Sequence, residues 1–517
     1  MDQGVSFIPL TWTDMLYLAP ELSLAAVFIM LVLLDLFLPK SSSRLLIGWG
    51  SLGGLLLSLA LVLWRMLDMH QTGSAPIQLL ANSYRIDDFG SLLKIVILTG
   101  SALIVLLAMG SLREEAGITE KGEYFYLLLP AVIGAMSMAS SGNLITLYIG
   151  LELLSITSYV LVGMRRKSSK SAEAAFKYLV TGGVSSAFVL FGMSYLYGVT
   201  GSVDLAVIGQ ALPGALTDYK ALVYVGFFFM LAGFGIKIAA APFHAWAPDV
   251  YQGAPTPVSA FLAVISKGAA LAVLFRILFN TVMIVAGVDE GVVSRDVFFA
   301  LLVLSAAAML VGTTTALGQK NVKRMLALSG VANAGYMLVP IGISITVVHS
   351  SNFSEFVFYL AVYLLMTIGA FAVLTVVSGA SGHEELKSFS GMYYRAPWTA
   401  AAMVIFILSL AGLPVSGGFF GKLFILLGAA SAKAYWLVAI MVVSSVISYY
   451  FYFGVVRQMF MRSGNIDREI HVPVPTGIVI WLCAIATLVL GLFPALLMNV
   501  IDAVFSIHYD LLFGYGD

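Results

Sequence analysis

Long apolar runs separated by short polar segments fill the chain from about residue 16 to residue 503. A helix needs about 20 apolar residues to cross the hydrocarbon core of a membrane. Fourteen runs meet this requirement and are numbered here as spans 1 to 14: 16–38, 45–67, 90–110, 124–140, 143–163, 172–198, 219–248, 255–280, 298–318, 321–346, 354–379, 397–429, 433–461 and 473–503. The pattern predicts an all-α polytopic membrane protein.

Composition agrees with this pattern. The 517 residues are 60% hydrophobic and 10% charged, whereas soluble domains carry about a quarter charged residues. We therefore expect one membrane domain over residues 1–517. Residues 1–14 have acids and no basic segment, which argues against a cleaved signal peptide.

Charge and cysteine content exclude several classes of function. The formal net charge is zero, with 27 basic and 27 acidic residues, so nothing indicates binding to nucleic acid. The one cysteine, Cys483, lies in span 14 and leaves no thiolate set for an iron–sulfur cluster. We expect no cofactor or metal in this chain.

The basic residues of the loops predict the orientation of the chain. Lys and Arg accumulate on the cytoplasmic side of a membrane, and the odd-numbered loops hold sixteen of them against five in the even-numbered loops. Both termini are therefore predicted to lie outside, with the odd-numbered loops in the cytoplasm.

Two spans contain helix-breaking residues. Span 7 runs into Pro242 and Pro248, and span 12 contains Pro414 among several glycines. Proline removes a backbone donor and clashes with the preceding turn, so both helices should break near mid-membrane. Paired interrupted spans indicate an inverted-repeat transporter and its binding site. We predict an N-terminal three-helix segment (1–123), inverted five-helix repeats in spans 4–8 (124–280) and 9–13 (298–461), and a C-terminal helix (473–503).

Ionisable residues inside the spans are the candidate functional groups. A charge at the centre of a span costs roughly 2.5–3.5 kcal/mol, so four central charges together cost on the order of 10 kcal/mol. The four are Glu152, Lys237, Lys267 and Lys422. We expect Lys94 and Arg276, near span ends, to reach the interface by snorkelling. Lys177, early in span 6, is equally compatible with an anchor and with a path residue.

Proton transfer explains these charges best. A nearby carboxylate can switch the protonation of a buried lysine, and Glu152 facing Lys237 would form such a switch. A protonated lysine repels Na⁺ and K⁺, so protons are the expected cargo. His244 follows the break in span 7 and is a candidate relay. The alternative is that the buried charges only pair helices within a structural scaffold.

Three segments resemble one known family in the same order. They are GFGIKIAAAPFHAWAPDVYQGAPTPVSAFLAVISKGAALAVLFR (233–276), IGLELLSITSYVLVG (149–163) and LSLAGLPVSGGFFGKL (408–423). They are similar to the core of the antiporter-like subunits of respiratory complex I, the proton-pumping NADH:quinone oxidoreductase. The resemblance covers essentially all fourteen spans and implies a polar chain along the membrane mid-plane.

The resemblance also implies roles for single residues. Glu152 matches the carboxylate of helix five, Lys237 the lysine of broken helix seven, and Lys267 the connecting lysine of helix eight. Lys177 and His244 match polar positions near that route. One of three paralogous subunits has lysine in broken helix twelve and the other two have acids, so Lys422 indicates the first. Span 10 departs from internal symmetry because it has no buried acid corresponding to Glu152.

The expected setting follows from the same resemblance. Other membrane subunits of the complex, antiporter-like ones among them, would be the partners in a bacterial cell membrane. NAD, FMN, iron–sulfur clusters and quinone are expected in partner subunits. The alternative function, expected for a protein of the same fold, is that of a subunit of a multi-subunit Na⁺/H⁺ antiporter.

Overall fold

The spans form as helices in a computed structural model that describes residues 11–39, 43–73, 75–111, 121–287, 291–343, 351–462 and 470–512. Spans 1 to 6 are Ala19–Phe37, Leu45–Thr72, Asp88–Ser111, Lys121–Ala139, Leu144–Val162 and Ser169–Thr200. Spans 8 to 11 are Thr256–Val282, Val292–Ala316, Val322–Gly342 and Asn352–Ser381, and spans 13 and 14 are Tyr435–Met461 and Val474–Leu492. The predicted all-α membrane fold is confirmed.

Spans 7 and 12 are broken, as their prolines predict. The helix Leu205–Lys237 is kinked at Tyr219, where φ is −130° and ψ is 31°, so span 7 itself begins after this kink; beyond its break it resumes as Ala247–Gly253. Span 12 consists of Pro397–Ala411 and Gly417–Ser431. Ala239 and Gly412 adopt left-handed backbone conformations, with φ of 56° and 79°, at the two breaks. These residues change the direction of the chain, so some backbone N–H and C=O groups at both breaks have no hydrogen-bond partner within their own helix.

Three boundaries differ from the prediction. The loop expected at 199–218 is helical from Leu205 because the Asp204 carboxylate accepts hydrogen bonds from the first backbone amides, at 2.8 and 3.2 Å. The connection at 68–89 contains a hairpin of β1 (Ile77–Leu79) and β2 (Tyr84–Ile86). The predicted helix 473–503 divides at Pro494 into span 14 and a further helix, Ala495–Val504.

Spans 5 and 10 begin in the same way. Asn143 and Asn321 cap the two helices by accepting hydrogen bonds from the third following amide. Each cap also forms a short bridge to the segment preceding a broken span, Asn143 to Asp204 and Asn321 to Glu385. This shared construction agrees with an internal repeat, whose predicted boundaries stay a prediction.

The middle of the bundle is formed by spans 8 and 10, which other spans enclose completely, and by spans 3 and 11, which are nearly enclosed. Spans 1, 5, 6 and 13 expose large apolar side chains on their outer faces. The enclosed spans therefore provide the dry interior in which a buried charge must find protein partners.

Candidate functional site

Ser155 connects span 5 to the break of span 7. Lys237, the last residue of the first helix of span 7, is 3% exposed and donates a hydrogen bond from Nζ to Ser155 Oγ at 2.5 Å. The Ser155 hydroxyl in turn donates to the Leu151 carbonyl at 2.5 Å. Glu152 lies one turn before Ser155 on the same face of the helix. Span 5 therefore contacts the end of the first helix of span 7 through a serine, and the predicted switch between Glu152 and Lys237 stays a prediction.

Glu152 acts on Lys237 through space rather than through an ion pair. Its side chain is half-buried, and Oε1 has no hydrogen-bond partner among the described residues. The Glu152 charge still acts electrostatically on the Lys237 ammonium.

A stacked pair of aromatic side chains lies on one side of the Lys237 ammonium. Its Nζ lies 5.8 Å from the centre of the Tyr178 ring, within the range of a cation–π interaction. Tyr178 stacks on Trp246 at 4.9 Å between ring centres, and the Trp246 indole donates to the Ile236 carbonyl at 3.0 Å. The rings exclude water from one side of the ammonium and hold the broken segment in place.

Lys267 occupies the centre of span 8, directly after a π-helical turn at Leu262–Ser266. It is 1% exposed, and its Nζ has no hydrogen-bond partner in the described part of the chain. The ammonium lies 5.9 Å from the centre of the Tyr251 ring. A buried ammonium without an anion is costly, which suits a group that releases its proton.

Gly330 makes room for this ammonium. A Cβ atom at Gly330 would lie 3.1 Å from Lys267 Nζ and 2.9 Å from the Tyr363 hydroxyl. Gly330 follows its cap Asn321 by nine residues, as Glu152 follows Asn143. The structural counterpart of Glu152 in span 10 is therefore a glycine, which accounts for the missing acid.

Lys422, in the second helix of span 12, is 8% exposed and donates to the carbonyls of Leu410 and Ala411, at 2.8 and 3.4 Å. These carbonyls end the first helix of span 12. The ammonium also lies 4.9 Å from the centre of the Tyr336 ring. The break in span 12 thus supplies the acceptors for its own lysine.

A polar cluster between Lys267 and Lys422 is absent from the sequence prediction. Tyr359 donates to Asn333 Oδ1 at 2.8 Å, and Asn333 donates to Ser329 at 3.3 Å. Ser329 is hydrogen-bonded to the Tyr452 hydroxyl. A cavity of about 10 Å³ adjoins Lys422 and these side chains, enough for about one water molecule. The signal available in the sequence was Ser329 and Asn333 at i, i+4 within an apolar span.

His244 and Lys177 have different surroundings. His244, after the break of span 7, is half-buried, and its Nδ1 has no hydrogen-bond partner among the described residues. The Lys267 charge acts on this imidazole, so His244 lies close to the candidate route. Lys177 is 40% exposed and forms ion pairs with Asp249 at 2.6 Å and Glu173 at 2.7 Å. The structure does not bring Lys177 into contact with Lys237.

The snorkelling prediction for Lys94 and Arg276 is wrong. Lys94 is fully buried and pairs with Glu21 at 2.8 Å. Arg276 is 1% exposed and donates to both oxygens of Asp87, at 2.7 and 2.9 Å. Each basic group has a carboxylate partner distant in sequence, so neither needs to reach the interface.

A polytopic helical protein with two broken spans, and with ionisable side chains enclosed between them, has the architecture of a membrane cation translocator. Residues 141–448 match the family described as NADH:quinone oxidoreductase/Mrp antiporter, TM. The chain is 68% identical to NADH-quinone oxidoreductase subunit N of Paenibacillus sp. (strain JDR-2), over 98% of this chain and 99% of the relative. It is 39% identical to the subunit N of Bacillus anthracis over 98% of both chains. The chain belongs to the NADH-quinone oxidoreductase subunit N family.

Solved structures agree with this assignment. A chain of respiratory complex I from Thermus thermophilus is 30% identical, with a TM-score of 0.75 over 93% of this chain and 99% of that chain. A chain of the Mrp complex from Dietzia sp. DQ12-45-1b is 20% identical, with a TM-score of 0.80 over 95% and 97%. The second likeness shows the fold alone. These identities confirm the prediction from Lys422 that the chain is the paralogue with lysine in broken helix twelve, which is subunit N.

Proposed function

We propose that the chain is a proton-translocating membrane subunit of an NADH:quinone oxidoreductase and that Glu152, Lys237, Lys267 and Lys422 carry the protons. The observation that supports this most strongly is the series of buried lysines and hydroxyl groups that lies between span 5 and span 12. The series runs through Ser155 and Lys237, then Lys267 at Gly330, then the cluster of Ser329 and Asn333 beside Lys422. The break of span 12 supplies the carbonyl acceptors at the Lys422 end.

Each lysine acts as a carrier that holds and releases one proton. Protons from the cytoplasm reach the lysine series, pass by way of Lys267, and leave for the outside near Lys422. When Glu152 moves toward Lys237, the carboxylate stabilises the charged ammonium, and when it moves away, the buried ammonium releases its proton. Electrostatic change in neighbouring subunits drives this movement. His244 serves as a relay beside Lys267, and Lys177 contributes at the edge of the route.

The redox chemistry belongs to other subunits. Cys483 is buried, and no group of three or more His, Cys, Asp or Glu residues in the described ranges could hold a metal ion. NAD, FMN, iron–sulfur clusters and quinone are bound by partner subunits of the complex. The partners in the membrane are other antiporter-like subunits.

The orientation belongs to the proposal as well. The excess of Lys and Arg in the odd-numbered loops supports cytoplasmic odd loops and outside termini in a bacterial plasma membrane. The cytoplasmic side is then the side of Arg165, Lys170, Asn321 and Glu384. The repeats at 124–280 and 298–461 place the two broken spans at equivalent positions.

Glu152→Gln and Lys237→Ala test the proposal. Both variants should lower NADH-driven proton uptake into inverted membrane vesicles by about tenfold or more, because each removes a transferring or controlling group. Glu123→Gln and Lys167→Ala are matched controls at surface positions and should pump normally. Assembly is checked by native electrophoresis. Full pumping by both test variants would contradict the proposal. Sodium-dependent transport without NADH would instead favour the antiporter alternative.

A further inference from the structure

Five phenylalanine side chains form a layer between the central lysine of span 8 and one end of the bundle. Each is at most 2% exposed, and they come from the first turns of span 3, the last turns of span 8 and the first turns of span 11. This phenylalanine layer consists of Phe89, Phe275, Phe279, Phe353 and Phe356. All three span ends adjoin even-numbered loops, so the layer lies toward the outside in the proposed orientation.

The rings of the layer contact each other across the three spans. The Phe275 ring centre lies 5.7 Å from that of Phe353 and 5.6 Å from that of Phe356, so span 8 meets span 11. The Phe89 ring, from span 3, lies 4.9 Å from Phe353 and 6.0 Å from Phe275. Phe279 stacks on Phe275 at 4.4 Å. These are distances of aromatic rings in contact, so apolar contacts from all three spans close the layer.

Span 8 places the layer directly outward of its central lysine. Lys267, Leu271, Phe275 and Phe279 follow each other at intervals of four residues, so they lie along one side of the helix. Phe275 is about 12 Å outward from Lys267 along the helix axis. Leu271, between the two, is fully buried. The most direct way from the Lys267 ammonium to the outside therefore runs into leucine and phenylalanine side chains.

The same three spans also pack closely at the depth of the central lysine. A Cβ atom at Gly100 of span 3 would lie 2.5 Å from Leu364 of span 11 and 2.7 Å from Ile265 of span 8. A Cβ atom at Gly268 of span 8 would lie 3.1 Å from Leu360 of span 11. Apolar side chains therefore fill the space on these sides of the lysine, and they offer water no hydrogen-bond partners.

An ion pair and a further ring cover the layer from the outside. The Arg276 guanidinium carbon lies 4.5 Å from the centre of the Phe89 ring, and the guanidinium donates to both oxygens of Asp87. Phe505, on the segment after span 14, contacts Phe353 at 4.1 Å between ring centres. The salt-bridged arginine and the covering ring hold the layer in a fixed position.

We infer that the phenylalanine layer is a hydrophobic seal that isolates Lys267 from water on the outside and so commits its proton to Lys422. Apolar constrictions exclude water, and a proton needs water or a titratable group to cross them. Without the layer, Lys267 would exchange protons with the outside directly, and protons already translocated would return through it. The inference rests on the proposed function, to which it adds the residues that fix the direction of transport.

Passive proton flow tests the seal in the absence of NADH. Phe275→Ser opens space beside Leu271 and gives water a polar partner. Lipid vesicles holding the variant complex should therefore lose an imposed pH gradient that vesicles with the unmodified complex keep. Phe125→Ser is the matched control, because Phe125 is 1% exposed and lies near the cytoplasmic end of span 4. Vesicles with Phe125→Ser or with the apolar Phe275→Leu should keep the gradient. A gradient kept by Phe275→Ser would overturn the seal.

Lys267→Arg shows whether this leak passes through the central lysine. Arginine cannot release a proton in a protein, so the double variant of Phe275→Ser and Lys267→Arg should hold the gradient that Phe275→Ser loses. A leak that persists in the double variant would overturn the claim that the layer isolates Lys267. The proposed function fails separately, namely if Lys267→Arg alone pumps fully. If Lys267→Arg stops pumping while Phe275→Ser keeps the gradient, only the seal is wrong.

Cysteine labelling tests the seal with every phenylalanine in place, and it stays decisive if Phe275→Ser does not assemble. Leu271→Cys lies inward of the layer and should stay unmodified by a membrane-impermeant methanethiosulfonate added to right-side-out vesicles. Thr217→Cys, at an exposed position beside the kink at Tyr219, is the positive control and should be modified. The native Cys483 is fully buried, so it contributes little background. Modification of Leu271→Cys from the outside would overturn the seal.

Discussion

Ser155 is the residue through which span 5 contacts the first lysine. Ser155→Ala removes the acceptor for Lys237 Nζ and leaves the Glu152 carboxylate in place. We expect proton uptake to fall by about tenfold in inverted vesicles, because the ammonium loses its fixed position. Thr157→Ala, on the same helix and bonded to the Leu153 and Leu154 carbonyls of that helix, is the control. Equal pumping by the two variants would show that Ser155 has no part in positioning Lys237.

Gly330 is the second residue whose size matters. Gly330→Ala places a methyl group against Lys267 and Tyr363, and it should lower proton uptake by about tenfold to a hundredfold through displacement of the ammonium. Gly268→Ala is the matched control, because its Cβ meets only the flexible Leu360 side chain at 3.1 Å. Unchanged transport by Gly330→Ala, measured beside that control, would mean that the ammonium position is not critical.

The residue scale also shows how much the sequence could predict. Glu152, Lys237, Lys267 and Lys422 are recognisable because a charge inside an apolar run is conspicuous. The environments of Lys94 and Arg276 cannot be predicted from the sequence, because their partners, Glu21 and Asp87, are distant in sequence. Ser329, Asn333 and the tyrosines of the second half carry no formal charge, so only their packing shows that they form a cluster.

At the scale of elements, Asp87 joins the hairpin to the end of span 8. It accepts two hydrogen bonds from Arg276 and one from Arg85, at 3.2 Å. Asp87→Asn leaves a buried arginine without its anion and should lower the free energy of unfolding by about 3–5 kcal/mol. Thermal unfolding of the purified protein in detergent measures the effect, and the exposed Asp218→Asn is the control. Equal melting temperatures would contradict a stabilising role for the pair.

The short helix Ile507–Asp510 is held against this hairpin by Asp510. Its carboxylate accepts from the backbone amides of Asp88 and Ser506, at 3.0 and 2.9 Å. Burial, followed by the nearby negative charge of Asp87, raises the pKa of Asp510 from 3.8 to about 7. The folded state therefore binds more protons than the unfolded state between about pH 4 and pH 7.

Docking of this helix should accordingly weaken as the pH rises toward 7. Hydrogen exchange of residues 506–512 measures docking, and Asp510→Asn should remove most of the pH dependence. Asp88 and Arg85 are the other charged groups that act on Asp510, and His70 lies 3.2 Å from Asp88. Because the His70 imidazole lies against Asp88, the His70→Gln variant is the control. Exchange that is independent of pH in the unmodified protein would contradict the prediction.

Element boundaries were predictable where proline or an apolar run marks them. The breaks of spans 7 and 12 follow from Pro242 and Pro414, since neither residue can continue a regular helix. The predicted start of span 7 at residue 219 agrees with the kink at Tyr219, and the helical turns before it are not predicted because Gly209, Pro213 and Gly214 interrupt a short apolar run whose start depends on the Asp204 cap. Pro494 lies within the apolar run predicted as span 14, and hydropathy alone does not show that it divides this run into two helices.

At the scale of the whole molecule, the polar series crosses from the first set of spans to the second at one place, between Lys267 on span 8 and Gly330 on span 10. Fold class and span number follow from hydropathy alone. The order of contacts along the polar series does not follow from hydropathy, because it depends on spans that are adjacent in space and distant in sequence. The matching caps at Asn143 and Asn321 show that the two sets share a construction while differing at the position of Glu152.

The most direct test of the account is the number of protons pumped per NADH oxidised by the complex carrying Lys267→Arg, reconstituted into lipid vesicles. Arginine keeps the positive charge at this position but cannot release a proton in a protein. We predict fewer protons per NADH than in the unmodified complex, with assembly intact. An unchanged ratio would contradict the claim that protons pass through the enclosed lysines of this chain.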